Sequence, residues 1–202
     1  MEKAGKKKIK IGITLMAFGL LLITAAGDLF AYNRINDKKA GETAHKIIES
    51  VEKKSSGSSD EVLKNREKIA VIDGTKYSGI ISIPALYIEL PVQTDYSLAK
   101  LKNAPCVYSG SVIDGTAVIC AHNYQSHFGN LKYAAPGVKV YFTDVEGLTY
   151  QYEIAKIETL DGYDVEKMKE NTGWDMTLFT CTYSGRQRVT ARLKRVMSDD
   201  MS

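Results

Sequence analysis

The residues best suited to chemistry lie in one short segment, residues 177–188, with the sequence TLFTCTYSGRQR. A β-type run ends at Cys181, a Tyr-Ser-Gly turn follows, and an alternating strand opens at Arg188. A thiolate is stabilised by nearby positive charge, and Arg186 and Arg188 lie across the hairpin from the cysteine. The pattern therefore predicts a reactive thiol that is displayed at the end of a strand.

A cysteine nucleophile needs a partner for proton transfer, and the chain has three histidines. His122 closes the apolar run TAVICA, residues 116–121, which is typical of a buried strand. His127 follows in a polar loop and is the alternative partner, although loop histidines are usually solvated. His45 lies near the N-terminus and is given no chemical role. The predicted pair, Cys181 and His122, would stand at the ends of two core strands.

These features resemble the sortase family, the cysteine transpeptidases of Gram-positive cell surfaces. The resemblance covers residues 77–196 and consists of a TLxTC motif at a strand end, an upstream strand ending in histidine and a downstream arginine. The segment GIISIPALYIELPV, residues 79–92, also resembles the sortase opening, in which an I-x-I-P strand leads into a strand ending in Pro-Val. The family often has glycine where this chain has Ala121, and the class stays open between a class B-like and a clostridial-type sortase.

The resemblance implies a role for each of three residues. Cys181 matches the nucleophile, His122 matches the histidine, and Arg188 matches the arginine that opens the last strand. Arg186 is the rival, because it has the same strand parity but lies nearer the turn. The implied reaction cleaves a sorting-signal peptide of a secreted surface protein through a thioester, and transfers the acyl group to an amine of a cell-wall precursor or a pilin. It requires no cofactor and no metal ion.

Two other classes of function fit the same residues. An ordinary cysteine hydrolase or peptidase would use the same pair but transfer the acyl group to water. A membrane-anchored barrel without catalysis would use Cys181 only for packing, as buried free cysteines commonly do. Cys120 lies inside an apolar run and Cys106 follows an Ala-Pro pair, so both are predicted to be packing residues. An odd number of cysteines without CxxC spacing disfavours a disulfide framework or a thiolate metal site.

Charge gives two further expectations. Asp161, Asp164 and Glu166 cluster near a turn, and some sortases bind calcium, but their spacing matches no metal-loop rule. A solvated acidic loop is therefore predicted. Five lysines among the first ten residues, set against Glu2, account for more than the whole net charge of +3. The rest of the chain is close to neutral, which argues against a nucleic-acid-binding face.

The body of the chain is predicted to be mainly β. Short β-type runs separated by turn signals predict a closed or nearly closed, sortase-like barrel of seven to eight strands, with short helices at 98–103 and 165–170. The runs are residues 79–83, 87–92, 116–121, 138–143, 148–157, 176–182 and 188–196. In the last run, alternation turns Ala191 toward the core and Arg188 and Arg192 away from it.

The N-terminal region is predicted to anchor the protein in a membrane. Residues 1–10 form a basic cytoplasmic tail, 11–32 a transmembrane helix, 33–70 a charged and partly helical stalk, and 71–198 the catalytic domain. The lysine flank predicts a single-pass protein with a cytoplasmic N-terminus and an extracellular catalytic domain. A cleaved signal peptide is the alternative, because Thr24, Ala25 and Ala26 offer small residues at a cut site.

Overall fold

A computed structural model describes residues 2–55, 69–170 and 172–196. Within these residues, nine β-strands, three α-helices and two 3-10 turns follow one another along the chain. The strands are β1 (Ala70–Ile72), β2 (Thr75–Ile83), β3 (Ile88–Gln93), β4 (Cys106–Ser109), β5 (Ala117–Ala121), β6 (Lys139–Asp144), β7 (Thr149–Asp161), β8 (Met176–Cys181) and β9 (Gln187–Arg195). The helices are α1 (Glu2–Ser55), α2 (Leu98–Leu101) and α3 (Val165–Lys169), and the 3-10 turns are Pro84–Leu86 and Phe128–Tyr133.

The strands form one sheet that closes on itself. Their order is β1-β2-β3-β4-β5-β8-β9-β7-β6, and β6 also pairs with β2. That pairing joins the two ends, so eight strands make a closed barrel and the short β1 extends beside β2. Two neighbouring pairs are parallel, β3 with β4 and β5 with β8, whereas the other pairs are antiparallel. The prediction of a mainly β, closed barrel is confirmed.

Side-chain alternation separates the inside of the barrel from its outer surface. Met176 and Leu178 of β8 pack in the inner core with Ala191 and Leu193 of β9, and all four are at most 1% exposed. The prediction that Ala191 of the last strand faces the core is therefore confirmed. The odd-numbered residues of β8, which include Thr177, face the opposite side of the sheet.

A second apolar cluster covers part of the outer surface of the barrel. Phe179 of β8 packs there with Cys120 of β5, Leu101 of α2 and Met168 of α3. The two short helices thus act as covers for this side of the sheet, and both lie within the segments in which the sequence predicts helix. A capping side chain begins each helix, Ser97 for α2 and Asp164 for α3. Helices as short as these are not stabilised by intrinsic propensity alone.

Helix α1 passes through two compact units of the chain, Met1–Lys39 and Ala40–Ser202. In the first unit, large apolar side chains are exposed on all sides of the helix from residue 11 to residue 23. Among the described residues, one helical stretch, Ile11–Ser50, is long and apolar enough to cross a membrane. A helix that is apolar all round is typical of lipid-exposed or deeply buried segments.

In the second unit, the helix packs on the barrel. Ile47 and Ile48 are buried against Tyr77 and Ile80 of β2, and Ala44 joins the inner core. The helical spacing predicted for residues 40–54 is confirmed. Part of the segment interpreted as a stalk therefore belongs to the folded body, while the helical turn expected at residues 61–68 lies outside the described residues.

The sequence interpretation missed strand β4 and the turn Phe128–Tyr133. The run CVYS in β4 is only four residues long, and only Cys106 is fully buried in it, so it carries little alternation. Phe128 and Leu131 of the turn are completely buried in the inner core. Their burial could not be foreseen from a loop whose remaining residues are polar.

Candidate active site

The parallel pairing of β5 with β8 brings Cys181 and His122 to the same edge of the barrel. The two strands run in register from Ala117 opposite Met176 to Ala121 opposite Thr180. The Thr180 hydroxyl donates a hydrogen bond of 2.9 Å to the carbonyl oxygen of Ala121, which fixes this last paired position. Cys181 and His122 are the next residues on each strand, so the register brings their backbone positions together where the two strands end.

The ring of His122 lies against Tyr124, with centroids 4.8 Å apart and an angle of 25° between the planes. Partial burial lowers the pKa of His122 from its usual value, and the positive charge of Lys102 lowers it further. The resting imidazole is therefore neutral at neutral pH. Once protonated, its imidazolium gives up the proton more readily than that of an ordinary histidine.

The loop after His122 is folded tightly by backbone hydrogen bonds. Phe128 N–H donates to the His122 carbonyl at 3.1 Å, and Gly129 N–H donates to the Tyr124 carbonyl at 2.8 Å. A Cβ at Gly129 would lie 2.5 Å from the carbonyl oxygens of Asn123 and Tyr124, so this position accepts only glycine without a shift of the backbone. The loop thus holds His122 from its C-terminal side.

His127, the alternative partner for the cysteine, is buried inside this loop. Its side chain is 0% exposed, and its ring lies 5.6 Å from that of Tyr124. The expectation of a solvated loop histidine is wrong, because the folded protein buries this side chain completely. A fully buried imidazole is poorly placed to contact a peptide on the surface.

Arg188 pairs with Cys181 across the β8–β9 hairpin. Its Nη1 donates to the carbonyl oxygens of Gly185 at 2.8 Å and Gln187 at 3.0 Å, so the guanidinium is held beside the turn. Arg186 is exposed and lies within that turn. Of the two arginines, Arg188 is thus the one that the strand register places opposite the thiol.

Gly162 allows the end of β7 to approach both arginines. Its N–H donates to the Arg186 carbonyl at 2.8 Å. A Cβ at this position would lie 2.6 Å from that carbonyl oxygen and 2.9 Å from Nη1 of Arg188. The lack of a side chain at Gly162 therefore leaves room for the guanidinium of Arg188.

The three cysteines are all free, but they lie in different environments. Cys106 and Cys120 are 0% and 2% exposed and face each other across β4 and β5. Burial raises the pKa of Cys106 to about 11 and raises that of Cys120 further, which keeps both as thiols. Cys181 is only half-buried. The prediction that Cys106 and Cys120 are packing residues is consistent with this burial.

An aromatic row lies on the outer face of the sheet beside Cys181. Tyr108 packs edge-on against Tyr96, with centroids 5.2 Å apart, and against Phe179, with centroids 5.4 Å apart. Burial raises the pKa of Tyr96, and the nearby thiols, Cys181 among them, add to the effect. Tyr96 therefore remains a neutral hydroxyl near the end of β8 that carries Cys181. The sequence interpretation did not single out this row.

The acidic residues near the end of β7 are engaged in local structure. Asp161 Oδ1 accepts a hydrogen bond of 2.9 Å from Tyr163 N–H, and Asp164 caps α3 and pairs with Lys167 at 2.7 Å. In the part of the chain that the structure describes, no group of three or more His, Cys, Asp or Glu side chains could hold a metal ion. The acidic cluster thus begins a helix.

The barrel with cysteine and histidine at adjoining strand ends defines the class of protein. The family model named Sortase domain matches residues 81–196, more than half of the chain. The chain therefore belongs to the sortase family, whose members are cysteine transpeptidases. No curated protein matches the chain.

Solved structures give the same result. The crystal structure of sortase C1 from Streptococcus agalactiae is 28% identical, covers 64% of this chain and 72% of its own, and has a TM-score of 0.56. A Clostridium perfringens sortase D5 transpeptidase is 23% identical, with 77% and 99% covered and a TM-score of 0.63. A lid mutant of sortase A from Corynebacterium diphtheriae is 22% identical, with 77% and 95% covered and a TM-score of 0.56. The last two likenesses show the fold alone.

Proposed function

We propose that this protein is a membrane-anchored cysteine transpeptidase that cleaves a sorting-signal peptide of secreted surface proteins and transfers the acyl group to an amine. The observation that carries the proposal is the pairing of strands at the reactive edge. His122 follows the last residue of β5, Cys181 ends the adjacent strand β8, and Arg188 lies opposite Cys181 on β9. Three elements thus supply one cysteine, one imidazole and one guanidinium at the same place.

In the first half of the reaction, the thiolate of Cys181 attacks the carbonyl carbon of the scissile peptide bond. A carbon–sulfur bond forms, and the oxyanion of the tetrahedral intermediate develops near the guanidinium of Arg188. As the carbon–nitrogen bond breaks, the imidazolium of His122 gives its proton to the departing amine. The products are a thioester on Cys181, a free amine and a neutral imidazole.

In the second half, an amine from a cell-wall precursor or a pilin attacks the thioester. Neutral His122 takes the proton from the attacking nitrogen, and the carbon–sulfur bond breaks to restore the thiolate. The lowered pKa of His122 keeps the imidazole in the neutral form that this step requires. The same feature makes the imidazolium of the first half a minor form at neutral pH, so slow turnover is expected.

Arg188 has five N–H donors, and the two hydrogen bonds recorded for it among the described residues both come from Nη1. Its Nε and Nη2 groups can therefore donate to the backbone of a bound peptide or to the oxyanion. Hydrogen bonds from Nη1 to the carbonyls of Gly185 and Gln187 hold the guanidinium beside the turn. This restriction preorganises the donor.

The experiment that tests the proposal is product analysis by mass spectrometry. The protein is incubated with a library of sorting peptides, with and without an oligoglycine or diaminopimelate-type amine. A transpeptidase gives a new amide that contains the added amine. A hydrolase gives only the free acid in both reactions, and a non-catalytic barrel leaves the peptides intact.

Membrane anchoring is part of the proposal and rests on the exposed apolar side chains of residues 11–23 and the lysines before them. The lysine flank favours a cytoplasmic N-terminus and an extracellular catalytic domain. The full chain is expected to fractionate with membranes, and a fragment that begins at Ala40 to be released from them. This starting point keeps Ile47 and Ile48 on β2, whereas a start near Ile69 would remove them. Mature protein that begins at Gly27 in the medium would instead support a cleaved signal peptide.

A further inference from the structure

Arg192 is a buried arginine on the outer face of β9 that the reaction described above does not use. It shares strand parity with Arg188 and pairs with Thr177 of β8, as Arg188 pairs with Cys181. Alternation alone predicts a solvated side chain here, but Arg192 is only 2% exposed. A buried guanidinium is costly unless its donors are satisfied, so its partners indicate its role.

The partners of Arg192 are the last carbonyl oxygens of helix α3. Nη1 donates to the carbonyl of Met168 at 3.2 Å, to that of Glu170 at 2.9 Å and to the Thr177 hydroxyl at 3.1 Å, while Nη2 donates to the carbonyl of Lys167. A helix end leaves such carbonyls without helical partners. One side chain therefore caps the carboxyl end of α3 and ties it to the sheet.

Among the described residues, one carboxylate forms an ion pair with this arginine. Nε of Arg192 donates to Oε1 of Glu158 on β7 at 2.9 Å, and the Glu158 side chain is 20% exposed. The planar guanidinium thus links β7, β8, β9 and α3 at once. Lysine has a single ammonium group and could not reach these acceptors together.

Helix α3 lies beside the reactive edge of the barrel. Val165 and Met168 of α3 pack with Phe179, which is two residues before Cys181 and on the same face of β8. At the other end of the same connection, Gly162 N–H donates to the Arg186 carbonyl, and the lack of a side chain there leaves room for Nη1 of Arg188. Within the described residues, the connection from β7 to β8 is therefore tied to the β8–β9 turn near its start and to Arg192 at residues 167–170, and α3 packs on the face of β8 that carries Cys181.

We infer that Arg192 is a positioning residue that fixes α3 as one wall of the peptide-binding surface. The inference rests on the proposed function for the identity of the substrate. It predicts that Arg192 controls how tightly a sorting peptide binds, while the reacting groups at Cys181 keep their chemistry. Loss of the clamp would let α3 move, and each bound peptide would then have to order it again.

The test compares Arg192→Lys with Arg195→Met in the full chain in detergent. Arg195 lies on the same strand but stacks on Tyr150, with its guanidinium carbon 4.4 Å from the ring centroid, and it makes no side-chain contact with α3 among the described residues. In Arg192→Lys, hydrogen exchange in residues 163–170 should accelerate about tenfold or more, the range expected for loss of one or two charge-assisted hydrogen bonds. Exchange in Arg195→Met should match wild type.

Kinetics separate positioning from a general loss of structure. In Arg192→Lys, KM for a sorting peptide should rise about tenfold with kcat changed less than about threefold, and iodoacetamide should alkylate Cys181 at the wild-type rate. The peptide concentration that half-protects Cys181 from alkylation should rise with KM. An unchanged KM, or a fall in kcat that follows only the folded fraction, would overturn the inference.

Two further outcomes are also decisive. If Arg192→Lys does not fold, Thr177→Val removes one acceptor of the same guanidinium and should give smaller changes in the same direction, while wild-type exchange in that variant would contradict the clamp. If wild type binds and converts no sorting peptide, the proposed function fails. Hydrogen exchange still decides whether Arg192 holds α3, and unchanged exchange would end the inference as well.

Discussion

Strands β8 and β9 carry two arginines on one face, and the two ends of this strand pair behave differently. At one end, Arg192 is buried opposite Thr177 and donates to carbonyl, hydroxyl and carboxylate oxygens of three surrounding elements, β7, β8 and the α3 segment. At the other end, Arg188 lies opposite a half-buried cysteine and donates only to two carbonyls of its own turn, among the residues described. The same residue type is thus a structural link at one end and an available donor at the other.

The difference shows what distinguishes a guanidinium with a structural role from one that is available to a substrate. The guanidinium of Arg192 is shielded from solvent and donates to groups within the protein. A movement of this side chain would leave buried donors and acceptors without hydrogen bonds. Arg188 is restrained by its hydrogen bonds to the turn but can still offer donors to a ligand. The following variants are chosen to break or sharpen this contrast.

The largest effect is expected at Cys181. Cys181→Ala should abolish transpeptidation, because no other group at this edge can form the thioester, and thermal unfolding should stay close to wild type because the side chain is half-buried. The matched control is Cys120→Ala, which should lower stability but retain activity, since burial raises the pKa of Cys120 and keeps it a thiol. Activity in Cys181→Ala, or its loss only in Cys120→Ala, would refute the assignment.

The next effect is expected at Arg188. Arg188→Ala should lower kcat by on the order of 10² to 10³, as for loss of one oxyanion donor. Arg188→Lys should recover only part of this loss, because lysine lacks the planar fork. Arg186→Ala serves as the control and should change kcat by less than about threefold, since its side chain is exposed in the turn. A large loss confined to the Arg186 variant would identify Arg186 as the working residue.

At the buried end, the expected effect is on stability and depends on pH. Burial raises the pKa of Glu158, but hydrogen bonds from Lys156 and Arg192 outweigh it and leave the pKa lowered. Glu158→Gln should lower the free energy of unfolding by on the order of 2 kcal/mol at pH 7. A carboxylate with a lowered folded pKa stabilises the fold above its unfolded pKa, and this contribution is lost as pH falls through the folded pKa.

Chemical denaturation of wild type and Glu158→Gln at pH 7 and at about pH 3 tests this sign. The difference between the two proteins should shrink at the lower pH. Glu153→Gln is the matched control on the same strand, because Glu153 pairs with Lys139 at 2.8 Å but is 42% exposed and should contribute less than about 1 kcal/mol. A difference that is constant with pH would show that the Glu158 charge does not stabilise the clamp.

The smallest effect is expected from Lys102, whose charge acts on His122. Burial lowers the pKa of His122 and Lys102 lowers it further, so Lys102→Gln should raise it. The acid limb of the kcat/KM profile should then move to higher pH, and the rate at neutral pH should rise by less than about threefold, because more His122 is imidazolium there. An NMR titration of the imidazole checks the direction. A shift to lower pH would contradict the account.

Much of the fold could be predicted from the sequence because the long strands alternate strongly. Residues 116–121 and 176–182 carried enough apolar and β-branched residues to predict β5 and β8, and with them the strand-end positions of His122 and Cys181. The barrel itself is confirmed. The roles of His122, Cys181 and Arg188 remain predictions that the experiments above address.

What the sequence could not show depends on contacts between distant segments. Arg192 has the same parity as Arg188, so alternation gave both the same exposure, and only the arrival of α3 and Glu158 buries one of them. His127 sits in a polar loop by sequence but is covered when that loop folds back. The sequence pattern predicts a spacer at Ile47 and Ile48, because their partners on β2 are about thirty residues away along the chain and local spacing does not show the contact.

The most direct measurement of the central claim is the location of the acyl group. The full chain in detergent is incubated with a sorting peptide without any amine, quenched in acid and digested, and the fragments are analysed by mass spectrometry. For wild type, the account predicts a thioester on the fragment that contains Cys181. Arg192→Lys should form the same thioester when peptide is saturating. Arg188→Ala should form it much more slowly than wild type does. An adduct on Cys106 or Cys120, or new amide product without any adduct on Cys181, would contradict it.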